Sequence, residues 1–565
     1  MTLLPVVERE LRTASRRSGT YLSRSLLALA AFLIVAGLLL GLSDMVHPTR
    51  LSMHIFQTLT YVELAFAAMS GMFLTADCLS EEKRAGTLGL LFLTDLKGWD
   101  VVFGKLAGTS LLGIFGFLAV LPMLALPVMF GGVSWRQFCQ VSVALGVIMA
   151  LSLATGLLFS AAWKQSRHVV GATFFMALLT AVGLELPSQI LKFLLPMNPV
   201  HWIVRLPSSL SLLEQAMSPF PASWAVLFPW YFWSLSAHVA LAATAFAGAC
   251  WLLPRRWQEV GSMDKLSSDP RNGMSPMGLV QGFMAVPARL KNGLNPFCWL
   301  TLRTTGPDPW SWLLLIFGGT SFLILYAYGI QTRGHGYFAA AMFVAFGLHF
   351  VFKVLLALSM VRRLTEDRNN GSLELILSTP LDPKTLLLGH RAALRVQWKW
   401  AVLGLLLVNL LLIAAALGSS LFWGEDSVIF FQFFVGGAIL LFLDVAVMEV
   451  VGPWMALIHA KPARAAWATL ARVMGPGFAG IFAVVLCSFD GGSSRIRILH
   501  LIWLGLSVAS GMWMWNAAQR RLTRSFRDYA AGLISEKFWF QLEGCSAPES
   551  SNTRAVPVRS LSVNS

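Results

Sequence analysis

The chain has 565 residues, 56% of them hydrophobic and only 13% charged, with a mean hydropathy of +0.66. An ordinary soluble domain carries about 25% charged residues, so a string of soluble domains is excluded, and so is a disordered chain, which needs low hydrophobicity and high charge. Lys and Arg outnumber Asp and Glu by 43 to 28. The apolar residues fall in runs of roughly 20, the length of helix that crosses a bilayer core, so the basic excess reads as the bias of cytoplasmic loops and not as a nucleic-acid surface.

In chain order, twelve apolar runs read as transmembrane helices: 25–42, 53–76, 101–130, 138–163, 169–184 and 224–253, then 310–330, 337–360, 400–421, 428–458, 466–487 and 498–515. No cleavable leader is expected, because Glu8 and Glu10 stand in the basic N-terminal stretch and no small-residue cleavage site follows the first run. The spacing Gly37…Gly41 and Gly104…Gly108 suits close helix packing. The outer loop 185–221 is long and half apolar, whereas its counterpart 488–497 is short. The predicted fold is an all-α integral membrane protein of about twelve spans. Residues 1–257 form a first six-span module, 258–294 a cytoplasmic linker, 295–530 a second module, and 531–565 a polar, disordered cytoplasmic tail. With the N-terminus inside, inner segments and their span ends hold 35 Lys and Arg and outer loops hold seven. That bias places both termini in the cytoplasm and the chain in the plasma (cell inner) membrane.

One segment occurs twice. Glu81-Glu82-Lys83-Arg84-Ala85-Gly86-Thr87-Leu88-Gly89-Leu90-Leu91-Phe92-Leu93-Thr94 follows the second run, and Glu366-Asp367-Arg368-Asn369-Asn370-Gly371-Ser372-Leu373-Glu374-Leu375-Ile376-Leu377-Ser378-Thr379 follows the eighth. The offset from Glu81 to Glu366 is 285, and the register continues without a gap to Gly104 and Gly389. The two halves therefore read as parallel copies. Ser80 and Thr365 each read as a helix start, which puts Glu81, Glu82, Glu366 and Asp367 at the positive end of a helix dipole. Leu88, Leu91 and Phe92, answered by Leu373, Ile376 and Leu377, fall on one face. The expectation is a cytoplasmic amphipathic helix in each copy, its apolar side against the membrane or the bundle and its charged end left for a cytosolic partner. Pro380-Leu381-Asp382-Pro383 then turns the chain, with Asp382 able to cap and Pro383 able to open the next helix.

These residues resemble the cytoplasmic loop of ABC-2 type transporter permeases, which runs roughly S-E-E-R-x-x-G-T-L-E-L-L-L-S-T-P-L and then G-K. Ser80-Glu81-Glu82-Lys83, Gly86-Thr87-Leu88, Leu90-Leu91 and Gly104-Lys105 match in the first copy. Glu366-Asp367-Arg368, Gly371-Ser372-Leu373-Glu374-Leu375 and Ser378-Thr379-Pro380-Leu381 match in the second. Gly89, Asp95 and His390 depart from the pattern. The resemblance implies coupling helices that dock an ATPase, and a pair of six-span modules used mostly for export. The chain has no GxxxxGK[ST] phosphate loop, so ATP and magnesium are expected in a separate P-loop ATPase, in two copies, with no cofactor and no nucleic acid on this chain and no catalytic residues of its own.

Inside the runs, Glu63, His349, Lys353, Asp444 and Glu449 form a candidate intramembrane polar site, since charge within a span is costly and commonly functional. The competing reading is internal pairing, for example of Lys353 with Asp444 or Glu449. The six cysteines are scattered, with no metal-ligand or redox spacing. Two rival functions stand beside the permease: an ion-coupled secondary transporter of the major facilitator type, whose short basic loops follow the second and eighth spans, and a membrane assembly factor that transports nothing.

Overall fold

The computed structural model describes residues 7–8, 12, 18–42, 47–93, 97–183, 188, 200–218, 224–256, 295–305, 336–418, 425–488 and 493–530. Among these the chain is helical throughout, with no strand. The first half runs α1 (Ser18–Leu42), α2 (Pro48–Ser70) with a π-turn (Gly71–Thr75), α3 (Cys78–Ala85), α4 (Thr87–Phe92), α5 (Gly98–Met129), α6 (Trp135–Ala162), α7 (Ser166–Leu178), α8 (Val200–Arg205), α9 (Ser209–Met217) and α10 (Trp224–Arg256). The second runs α11 (Pro296–Thr305), α12 (Gly336–Asn369), α13 (Ser372–Leu377), α14 (Pro383–Gly418), α15 (Glu425–Ile458), α16 (Pro462–Ser488) and α17 (Ser493–Ala530).

Eight stretches among the described residues are long and apolar enough to cross a bilayer: Pro48–Arg84, Gly98–Met129, Trp135–Ala162, Trp230–Arg255, Ala345–Asn369, Pro383–Ala414, Phe431–Ile458 and Arg497–Arg524. Twelve were expected. The run 25–42 lies in α1 (Ser18–Leu42), and the apolar stretches described there and in 169–184 are Leu27–Leu40 and His168–Ala181. The run 466–487 lies in α16, which is not among the eight, and 310–330 falls outside the described residues, as do the linker and the tail.

Local chemistry fixes where the helices meet. Ser134 and Gln137 form a capping box at the start of α6: Ser134 Oγ accepts from the Gln137 amide (3.3 Å) and Gln137 Oε1 from the Ser134 amide (2.8 Å). Gln137 Nε2 also donates to the Met217 carbonyl (2.7 Å), tying α9 to α6. Where α2 crosses α6, two glycines remove the side chains that would hold them apart. A Cβ on Gly71 would stand 1.8 Å from the Ser152 carbonyl oxygen, and one on Gly156 would stand 2.2 Å from Thr75 Oγ1. Four hydrogen bonds use that closeness or follow from it, including Gly71 N to Ser152 Oγ (2.9 Å) and Thr75 Oγ1 to the Leu153 carbonyl (2.9 Å), with Ser152 Oγ donating to the Ala68 carbonyl (2.6 Å) and Thr75 Oγ1 to its own Gly71 carbonyl (3.1 Å). The π-turn places those groups opposite α6 at the cost of regular helix geometry.

The largest apolar core belongs mostly to α12, α14, α15 and α16, yet it includes Met72, Ala76, Val169, Val170 and Phe174 from the first half. The two halves thus share a core. A second core fills the first half between α2, α5, α6 and α9.

Candidate functional site

Each copy of the repeated segment folds the same way. Gly86 and Gly371, 285 positions apart, both take left-handed backbone, at φ 71° and 72°. This conformation suits glycine because a Cβ would crowd the following carbonyl. The six-residue helices α4 and α13 follow, also 285 apart at both ends, and then the long helices α5 and α14 begin at Gly98 and Pro383, again 285 apart. The helix before each loop is bonded to the end of a later one at matching places. Ser160 Oγ accepts from the Leu79 and Ser80 amides (3.0 and 2.9 Å), while Thr365 Oγ1, in the register of Ser80, donates to the Ala456 carbonyl (3.2 Å). Arg84 donates to the Lys164 carbonyl (3.1 Å), and Asn369, in the register of Arg84, donates to the Ala460 carbonyl (2.7 Å). Glu81 meets Lys461 (2.6 Å), the neighbour of Ala460, so both loops lie at the same end of the molecule.

Glu81 lies in the first turn of α3, whose N-cap position is Asp77, with Glu82 next to it. Glu366 and Asp367 do not occupy a helix start: they lie in the last turn of α12, where the dipole is negative and acids need cations. The structure supplies them: Arg362 holds Glu366 (2.7 Å) and Arg363 holds Asp367 (2.8 Å), each one turn back. Glu82 pairs with Lys105 (2.5 Å). The acids are thus held within the chain, and the expected free charged end is replaced by ion pairs. Lys105 belongs to the Gly104-Lys105 match, so two distant parts of the motif meet here, with Gly104 buried beside them. In the second copy His390 stands in the register of Lys105 and turns instead to the Met360 carbonyl (2.9 Å). Asp367, lacking a lysine there, takes Arg363.

Leu88 and Leu373 are each 1% exposed and anchor the short helices to the bundle. Phe92, Ile376 and Leu377 are half-buried on the same side, and the side chain of Leu91 lies outside the described residues. What faces outward is another leucine: Leu90 at 65% and, in its register, Leu375 at 72%, with Leu93 at 82% beside the first. Pro380 is exposed in the turn that follows α13. Each loop therefore presents a small apolar knob on a buried anchor.

The charges within the spans have separate partners. Lys353 bonds Asp444 (2.6 Å), joining α12 to α15. Glu449 accepts two hydrogen bonds from Arg395 Nε (2.8 and 3.1 Å) and one from Nη2 (2.6 Å). His349 Nε2 lies 2.7 Å from Asn409 Nδ2. Glu63 is buried on α2, and its Oε1 has no hydrogen-bond partner among the described residues. Arg395 escaped the sequence reading because the ninth run was drawn from Trp400, whereas α14 begins at Pro383 and brings Arg395, itself exposed, against the buried Glu449. Asp77 was also missed. Its Oδ1 accepts from Ser80 Oγ (2.6 Å), Ser166 Oγ (2.6 Å) and Arg84 Nη2 (2.9 Å), and its position four before Glu81 was the only available signal.

No family model matches the chain, and no curated protein matches it.

Proposed function

We propose that the chain is the membrane permease of an ATP-driven exporter of the ABC-2 type, twelve-spanning and duplicated, gripped at its cytoplasmic face by two copies of a P-loop ATPase. One observation carries the reading: two loops with the same left-handed glycine, the same six-residue helix and the same outward leucine stand at one end of the molecule. An exposed leucine is unremarkable alone. A pair in matched register, each on a short helix seated through a buried leucine and bonded back to the bundle, suits two equal contacts that transmit movement to the spans. The ATPase would bring ATP and magnesium; this chain would bring the pathway. The ion pairs around the acids stiffen the base of each helix so that a push on the knob reaches α5 and α14.

The test is affinity purification of the chain from its native membrane. The expected result is a P-loop ATPase at two copies per chain, lost when Leu90→Arg and Leu375→Arg are combined while the membrane protein stays folded. Transport driven by a proton gradient with no ATPase bound supports the secondary-transporter reading, which the buried Lys353–Asp444 pair favours; absence of both points to an assembly factor.

A further inference from the structure

At the loop end of the shared core, a cleft opens between the halves. Its walls are duplicate positions facing each other. Phe73 and Leu358 both line it and are 285 apart; Ser166 and Pro462 open α7 and α16, 296 apart, and Val170 and Ala466 follow one turn on in each. The fourth pair differs in kind. Asp77 and Arg362, again 285 apart, put an acid on one wall and a base on the other. Each is half-committed. Asp77 uses Oδ1 for its three bonds, and among the described residues nothing bonds Oδ2. Arg362 gives Nε to Glu366 and keeps both terminal nitrogens without a partner among the described residues.

Polarity changes with depth on every wall. From Arg362, α12 descends through Leu358 to Val354; from Pro462, α16 descends through Ala466 to Leu470; Asp77 gives way to Phe73 and Ser166 to Val170. The charged pair sits at the top, and Arg362 is about 10 Å from the end of α12 at 1.5 Å per residue, the depth of lipid head groups. An acid and a base above an apolar slot complement a ligand with a negative group, a positive group and a tail.

We propose that this cleft binds a membrane amphiphile with a zwitterionic head, its anionic group on the Arg362 fork, its cationic group on Asp77 Oδ2, and its chain between Phe73, Leu358 and Leu470. The proposal deepens the permease reading, and only its consequence for transport rests on that reading. Binding is measured on the whole chain with no ATPase present, so loss of the ATPase partner leaves it standing and failure of binding leaves the ATPase contact untouched.

The experiment is titration of the purified chain, in a neutral detergent, with three probes of equal chain length: lysophosphatidylethanolamine, lysophosphatidic acid and an alkylamine. The expected result is saturable binding that favours the zwitterion about tenfold over each of the others, the scale of one charge-assisted hydrogen bond. Asp77→Asn should move the preference to the anionic probe, and Arg362→Gln to the cationic one. These opposite changes cannot arise from loss of folding, and Leu358→Trp, which fills the slot, should weaken all three. Equal binding of the three probes by the wild type, no saturable binding, or a preference unmoved in both variants overturns the proposal.

Discussion

Lys353 and Asp444 show what a single pair costs and returns. Their side chains are 8% and 14% exposed, so removing one leaves the other desolvated and alone. Lys353→Met should therefore destabilise the chain by about 3–5 kcal/mol, whereas Lys353→Met with Asp444→Leu should return to within about 1 kcal/mol of wild type, because apolar side chains replace a buried pair at little loss. Denaturant unfolding in micelles checks both, and a double variant as weak as the single one would show that apolar side chains do not replace this pair. The sequence made this pair readable, since a lone cation in a run of apolar residues demands an anion nearby. It left Asp444 and Glu449 as equal candidates. Choosing between them required knowing that Arg395 approaches Glu449 from α14, and hydropathy alone hides an arginine placed in the first turns of a span.

Among elements, the repetition of the loop, its apolar face and Pro383 as a helix opener were legible, because they are local features of sequence. Its break was not: one helix was expected in each copy, and left-handed Gly86 and Gly371 divide it in two. Gly86 and Gly371 have nothing within 4 Å of where a Cβ would lie, so substitution there meets only backbone strain. Gly86→Ala and Gly371→Ala should each destabilise by about 1 kcal/mol, and the asparagine variants by less, because asparagine tolerates that conformation. Gly71→Ala should cost about 3 kcal/mol, since its Cβ has to displace α6. Thermal unfolding of the three variants separates strain from collision, and equal losses at Gly71 and Gly86 would refute the close crossing. The acids of the second copy were misplaced because Thr365 carries the signature of a helix start while lying inside α12. Thr365 spends its hydroxyl on the Val361 and Ala456 carbonyls, and composition cannot distinguish a capping hydroxyl from one that bonds sideways.

At the scale of the molecule, the helical membrane character was legible from composition, but the junction of the halves was not, because it is made of contacts between residues hundreds of positions apart. Links across that junction among the described residues include Glu81 with Lys461, and Phe73 edge-on to Trp467 with centroids 4.2 Å apart. The ion pair is about half exposed on both sides, so Glu81→Ala or Lys461→Ala should change stability by less than about 1 kcal/mol. Its place matters more than its strength, for it bridges the first loop to the start of α16 across the mouth of the cleft. If ATP in a partner separates the halves, this bridge must open in each cycle. Cysteines at 81 and 461, in a chain whose native cysteines are replaced by serine, test that directly. Two long side chains meeting at their tips hold their backbones too far apart for a disulfide, so a short cleavable bis-thiol reagent is the right clamp. With the clamp closed, ATP hydrolysis by the bound partner should fall several-fold while the partner stays attached, and reduction should restore it. Hydrolysis that continues unchanged through the clamp would mean that the halves do not part at this end, and the loops would then have to convey movement by some other route.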